Sequence, residues 1–202
     1  MSTPACPRLR YGASLASAFR EAAPLFLLVA LALAASRFLA GGALWSTLDG
    51  ATHVYRAFEL GRLLDDGQLY PRWAPDFVYD YGYPLFNYYA PLLYYLAEAL
   101  RRSLGTSHLA AMEGVVVLGL ALSGISMYLL ASELLGKAAG MLAGVAYLYW
   151  PYRLVVVYVR GDVPEVLSYG LLPLVLWGCY RWLAKEGGES GPCRALGLGA
   201  TA

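Results

Sequence analysis

Two short stretches of the sequence collect acids and bases between long apolar runs. One is LDGATHVYRAFEL, beginning at Leu48; the other is VRGDVPE, beginning at Val159. In the first, His53 lies four residues after Asp49, so both can face the same way on a helix, and Arg56 and Glu59 follow within one more turn. The second holds Arg160, Asp162 and Glu165. A carboxylate in such a place can act as a general base toward a hydroxyl. Several together can hold Mg²⁺ or Mn²⁺ through hard oxygen ligands while leaving room for a phosphate. Guanidinium groups from Arg56, Arg72 and Arg160 would offset phosphate charge. Asp49, Asp162 and Glu165 are therefore the candidate ligands of a divalent cation. Plain helix chemistry competes with both assignments. Asp49 is a preferred N-cap for a helix over residues 50–64. Pro164 and Glu165 suit the first turn of a helix. His53 reads equally as a solvated surface residue.

Between the two stretches, DDG signals a turn at residues 65–67. LYPRWAPDF follows, and Pro71 and Pro75 demand an extended or turning path. Tyr79, Tyr81 and Tyr83 alternate through YDYGYP, with Gly82 permitting a tight bend. Rings beside polar groups suit the flat face of a sugar or the isoprene units of a lipid, and they suit an interfacial aromatic belt equally well. Tyr81 and Tyr83 join His53, Arg56, Arg72 and Arg160 as candidate substrate-binding residues.

The elements that must position these groups are membrane helices. Of the 202 residues, 59% are hydrophobic and 14% charged, with a mean hydropathy of +0.51. A soluble domain carries about 25% charged residues, so this deficit points to a bilayer. A net charge of +1 supplies no basic patch, and no nucleic-acid partner is expected. Cys6, Cys179 and Cys193 are scattered, without CxxC or zinc spacing, and read as bystanders. Two histidines, His53 and His108, cannot build a three-histidine zinc site.

A span needs about 20 apolar residues. Four are predicted, over residues 22–44, 109–135, 138–158 and 163–183. Arg8, Arg10 and Arg20 precede the first, so residues 1–21 form a cytosolic tail by the positive-inside rule, in a plasma-membrane protein. The small residues of ALALAAS leave a signal peptide as the rival reading. Lys137, which can pair with Glu133 at i,i+4 spacing, suits a cytosolic turn, as do Arg181, Lys185 and Arg194. Residues 45–108 then form a large outer loop with juxtamembrane helices near 50–64 and 84–102, and residues 159–162 form an outer turn. The segment 84–100 is read as interfacial because it is short, holds two prolines and is followed by Arg101 and Arg102, although a fifth span would invert everything after it. Residues 184–202 are a cytosolic tail or the start of a truncated helix. The expected fold is an all-α multi-pass membrane protein, an N-terminal fragment of a larger bundle.

The ordered motifs LDGATHVYRAFEL, GQLYPRWAPDF, YGYPLFNYYAPLLYYL and PYRLVVVYVRGDVPE, followed by LLPLVLW, resemble a bacterial multi-pass family, the membrane proteins with a 6-pyruvoyl-tetrahydropterin synthase-related domain. The resemblance runs from about Leu48 to Trp177. A more distant similarity is to the C-type superfamily of integral-membrane glycosyltransferases that use lipid-phosphate sugars. In these an acidic residue opens a large first outer loop, and a second acidic motif lies in a later outer turn. Asp49 matches the first position, and Asp162 or Glu165 the second. The superfamily's second motif is RGALAE-like, which favours Glu165 and makes Asp162 incidental, so the resemblance implies Asp49 and Glu165 as the candidate catalytic residues. The resemblance implies a polyprenyl-phosphate sugar donor, membrane lipid as a partner, and hexosyl transfer on the outer face. A non-catalytic scaffold or a lipid-handling transporter is the competing function.

Overall fold

The computed structural model of the chain describes residues 15–39 and 41–186. The expectations for Cys6, Arg8, Arg10, Cys193, Arg194 and a truncated helix beyond residue 186 lie outside the described residues. Eight α-helices follow one another: α1 (Leu15–Ser36), α2 (Gly50–Asp65), α3 (Leu85–Tyr88), α4 (Leu92–Leu104), α5 (His108–Leu135), α6 (Lys137–Leu148), α7 (Pro151–Val155) and α8 (Val163–Glu186). Four stretches are long and apolar enough to cross a bilayer: Ala22–Leu39, His108–Leu135, Lys137–Arg160 and Val163–Ala184. Among the described residues the one piece of β-structure is an isolated antiparallel bridge between Ala74 and Tyr83. The chain is an all-α multi-pass membrane protein.

The bundle is organised around α5, which packs against α8, α6, α1 and α4. Lipid tails are as apolar as leucine, so helices in a bilayer are held by close packing rather than by exclusion from water. Small residues supply that closeness here. A Cβ added to Gly144 of α6 would stand 2.9 Å from the carbonyl oxygen of Gly124 in α5. At the far end of the pair, Gly136 turns the chain at φ +88°. Glu133 does not pair with Lys137 across this turn. It accepts from Trp177 Nε1 at 3.0 Å and faces Arg181 at 3.9 Å, both from α8. The turn removes Lys137 from the helical spacing on which the expected pair depended.

Three of the predicted helices are interrupted. The helix of the first span ends at Ser36, and two 3₁₀ turns, Arg37–Leu39 and Ala43–Ser46, flank the left-handed pair Gly41 and Gly42. The interfacial segment divides into α3 and α4, with Tyr89 extended (φ −98°, ψ 132°) two residues before Pro91. The third span breaks between α6 and α7. Trp150 is extended (φ −57°, ψ 129°), as the residue before a proline prefers, and Pro151 opens α7 without an N–H to bond backward. The span then closes in a π-helical turn, Val156–Arg160, where the N–H of Gly161 reaches Val156 O at 2.8 Å. Such turns concentrate at functional positions in membrane and soluble helices alike.

On one end of the bundle, α2 and α4 pack on each other and on α5. The 13 residues of α4 are too few to cross a bilayer, and its buried positions Leu93, Tyr94, Ala97 and Glu98 form a single stripe. Glu98, 2% exposed, accepts from Arg101 Nη2 at 2.7 Å and Arg102 Nε at 2.6 Å. Arg102 Nη2 reaches on to Asp65 Oδ1 at 2.8 Å and thereby ties α4 to the end of α2. Burial alone would raise the Glu98 carboxyl, but the hydrogen bonds from the two arginines outweigh it and hold the group below its usual range.

Candidate functional site

The two acid-bearing stretches meet through their backbones. Leu48 N–H donates to Val159 O at 3.1 Å, and Asp49 N–H donates to Arg160 O at 2.8 Å. Close approach is possible because both chains are narrow at the junction. A Cβ on Gly161, which sits at φ +67°, would lie 2.0 Å from Thr47 Oγ1 and 2.9 Å from Gly50 N. The start of α2 and the start of α8 are thereby fixed side by side at one boundary of the bundle.

Asp49 does not cap α2. Its backbone is in the right-handed helical region (φ −109°, ψ −12°), and its side chain makes no cap hydrogen bond. Thr47 serves instead: its hydroxyl donates to Leu44 O at 2.6 Å and accepts from Gly50 N at 3.1 Å. The expected capping bond is absent because the turn ahead of α2 starts two residues earlier. The exposed Asp49 carboxylate is left without a hydrogen bond or ion pair among the described residues.

The opposite holds for Asp162 and Glu165. Asp162 Oδ1 accepts from Glu165 N at 3.2 Å, the bond of a helix N-cap, while its Oδ2 takes Arg160 Nη2 at 2.9 Å. Glu165 takes Arg160 Nη1 at 2.6 Å on one oxygen and the Tyr169 hydroxyl at 2.6 Å on the other. Arg160 also donates to Tyr152 Oη at 3.0 Å. Among the described residues no three His, Cys, Asp or Glu side chains form a metal-holding group. Of the three expected cation ligands, Asp162 and Glu165 each give one oxygen to Arg160, and the Asp49 carboxylate carries no such bond among the described residues.

His53 is not a solvated residue but is 3% exposed, with Nδ1 at 3.0 Å from the Tyr94 hydroxyl. Burial, with a contribution from Arg56, lowers its pKa to about 4, while Asp162 and Asp49 pull it the other way through space. The ring is thus neutral at pH 7. Arg56 lies over the Tyr89 ring, 3.9 Å from its centroid, and its Nη1 approaches Tyr94 Oη at 3.4 Å. His53, Arg56, Tyr89 and Tyr94 form an aromatic and basic floor directly after Asp49. Arg72 stands apart, exposed, with its guanidinium 5.9 Å from the Tyr70 ring centroid. Tyr81 is 83% exposed, and Tyr83 pairs its backbone with Ala74 and its ring with Tyr88. These three do not join the Asp49 cluster through any recorded contact. Their loop is held by Arg62 against Asp76 and by the Glu59 carboxylate accepting from Asp76 N at 3.2 Å.

Tyr94, Thr47 and Arg153 are partners that sequence reasoning did not single out. Tyr94 is one of four tyrosines in NYYAPLLYYL, and nothing local distinguishes it. Thr47 takes on a role only once the turn ahead of α2 is known. Arg153 carried a readable signal, since a charge inside a membrane span marks a functional candidate.

Fold and site together define a helical membrane protein with a polar shelf where the start of α2 meets the start of α8. Residues 86–192 match the family described as 6-pyruvoyl-tetrahydropterin synthase related domain, membrane protein, and the chain belongs to that family. Arg160, Asp162 and Glu165 fall inside the match; Asp49, His53, Arg56, Arg72, Tyr81 and Tyr83 precede it. No curated protein and no solved structure matches the chain.

Proposed function

We propose that this protein transfers a sugar from a polyprenyl-phosphate donor to a hydroxyl acceptor at the outer face of the cell membrane, with its N-terminus in the cytosol. The observation that supports this reading most is the free Asp49 carboxylate, joined through its own backbone N–H to Arg160, whose guanidinium faces Asp162 and Glu165. In this reading Asp49 takes the proton of the acceptor hydroxyl. The acceptor oxygen forms a bond to the anomeric carbon as the bond from that carbon to the lipid-phosphate oxygen breaks. The electron pair leaves with the polyprenyl phosphate. Arg160 faces the charge that develops on that leaving group, a role in which a pre-positioned cation is most effective. Glu165 and Asp162 hold the guanidinium in place, so they are positioning residues here.

The test is sugar transfer in membranes containing the whole chain, supplied with a radiolabelled polyprenyl-phosphate hexose. Asp49→Asn is expected to abolish transfer with expression unchanged. Transfer by Asp49→Asn at the wild-type rate removes Asp49 from the mechanism.

A further inference from the structure

The broken third span encloses a cavity of about 300 Å³ lined by Tyr147, Trp150, Tyr152, Arg153 and Tyr169. Arg153 is 3% exposed, and its guanidinium nitrogens, closed off from water, have no well-formed hydrogen bond, only a weak interaction with Tyr147. Its neighbours are two ring faces: the Tyr147 centroid at 4.6 Å and the Tyr169 centroid at 4.5 Å. Aromatic faces stabilise a cation without accepting its N–H groups in the way an oxygen does. A guanidinium carries five such donors and no acceptor, so the site is short of oxygen lone pairs.

No acid within the network is available to supply them. Glu165 spends its two oxygens on Arg160 and the Tyr169 hydroxyl. The hydroxyl of Tyr147 donates to Tyr169 O at 3.2 Å. Tyr152 is different: its oxygen accepts from Arg160, which leaves its own proton to give. The cavity is lined by the Arg153 side chain and by Tyr152, and a small shift of Arg153 would bring its donors, now closed off from water, to a group made of acceptors. Arg153 lies seven residues before Arg160 in the same span, roughly 10 Å along the axis at helical rise. Arg153 therefore sits about two helical turns further into the span than Arg160, within a side chain's length of the headgroup level if Arg160 lies at it. The rim is exposed, with Trp150 at 62% and Tyr152 at 48%.

We infer that this cavity binds the phosphate group of an anionic membrane lipid, with Arg153 making a bidentate contact to the phosphate oxygens and Tyr152 donating a further bond. The two ring faces hold the guanidinium plane so that its edge addresses the ligand. The inference does not depend on sugar transfer, because binding is read with no acceptor present and no turnover.

The experiment is thermal unfolding of the purified whole chain in neutral detergent with polyprenyl monophosphate, dioleoyl phosphatidic acid, dioleoyl phosphatidylcholine or inorganic phosphate. Both phosphomonoester lipids are expected to raise the midpoint, phosphatidylcholine to do so less, and Arg153→Gln to weaken apparent affinity for them at least ten-fold. Tyr152→Phe, which keeps the Arg153 charge and its ring contacts, is the second variant that decides the matter if Arg153→Gln does not fold, and it is expected to weaken binding a few-fold. Protection by inorganic phosphate equal to that by the lipids assigns recognition to the phosphate alone, and protection by the lipids only adds their chains to the contact. Absence of protection by every phosphate compound, or equal protection of wild type and Arg153→Gln, overturns the inference.

Discussion

The backbone N–H of Asp49 donates to the carbonyl of Arg160 at 2.8 Å, across more than one hundred residues of chain. That bond, with its neighbour from Leu48 to Val159, joins the start of α2 to the start of α8. It sets an unpaired carboxylate beside an arginine that already holds two acids.

The junction depends on Gly161. Any side chain there meets Thr47 and the start of α2, and the positive φ disfavours an L-residue as well. Gly161→Ala is expected to destabilise the protein by roughly 1–3 kcal/mol, the usual range for overpacking a tight contact. Transfer should fall with it, although every proposed reacting group is retained. Thermal unfolding in detergent and the transfer assay check this together; an unchanged midpoint would show that the two segments are not locked.

His53 makes stability depend on pH. Its folded-state pKa is about 4 against an ordinary value of 6.5, so the unfolded chain takes up the proton first as pH falls. The contribution of the neutral buried ring is complete above pH 6.5 and is lost progressively down to about pH 4, a difference of roughly 3 kcal/mol. His53→Phe should flatten this acid limb while lowering stability at pH 7, since the Tyr94 hydroxyl keeps only its longer contact with Arg56. Unfolding midpoints from pH 4 to pH 7.5 for both proteins decide it, and parallel curves would refute the assignment.

Glu98 anchors the platform under the site. Glu98→Gln leaves Arg101 and Arg102 facing a neutral group in a buried place, at a cost of roughly 2–3 kcal/mol, held below the range for fully buried pairs because the arginines are partly exposed. Proteolysis within residues 66–84 should accelerate as α2 and α4 loosen. Wild-type proteolysis rates would mean that the network is dispensable.

The membrane class was legible because apolar runs of about 20 residues admit few other readings, and the helices α5 and α8 follow directly from theirs. The interruptions were harder to read. Pro151 and Pro91 announced a local disturbance, but the size of each break depends on what packs around it. At the site, the two acidic stretches were visible as clusters of residue types. Their pairing was not, because a backbone bond between Asp49 and Arg160 leaves no mark in composition. The capping role expected of Asp49 fell to Thr47, since both residue types make good caps and only the path of the turn chooses between them. The fate of Asp162 and Glu165 turned on where Arg160 points, and its proximity in sequence to both acids was the available clue. The solvated alternative for His53 fails, and the sequence left it open because a histidine beside apolar residues looks the same at an interface and in a core.

The central claim is that Asp49 and Glu165 stand together at the outer surface of the membrane. The direct measurement is labelling of intact cells with a membrane-impermeant maleimide, using Asp49→Cys and Glu165→Cys in a chain whose Cys6, Cys179 and Cys193 are serine. The account predicts that both positions react from outside without permeabilisation. A position that reacts only after the cells are opened would contradict it.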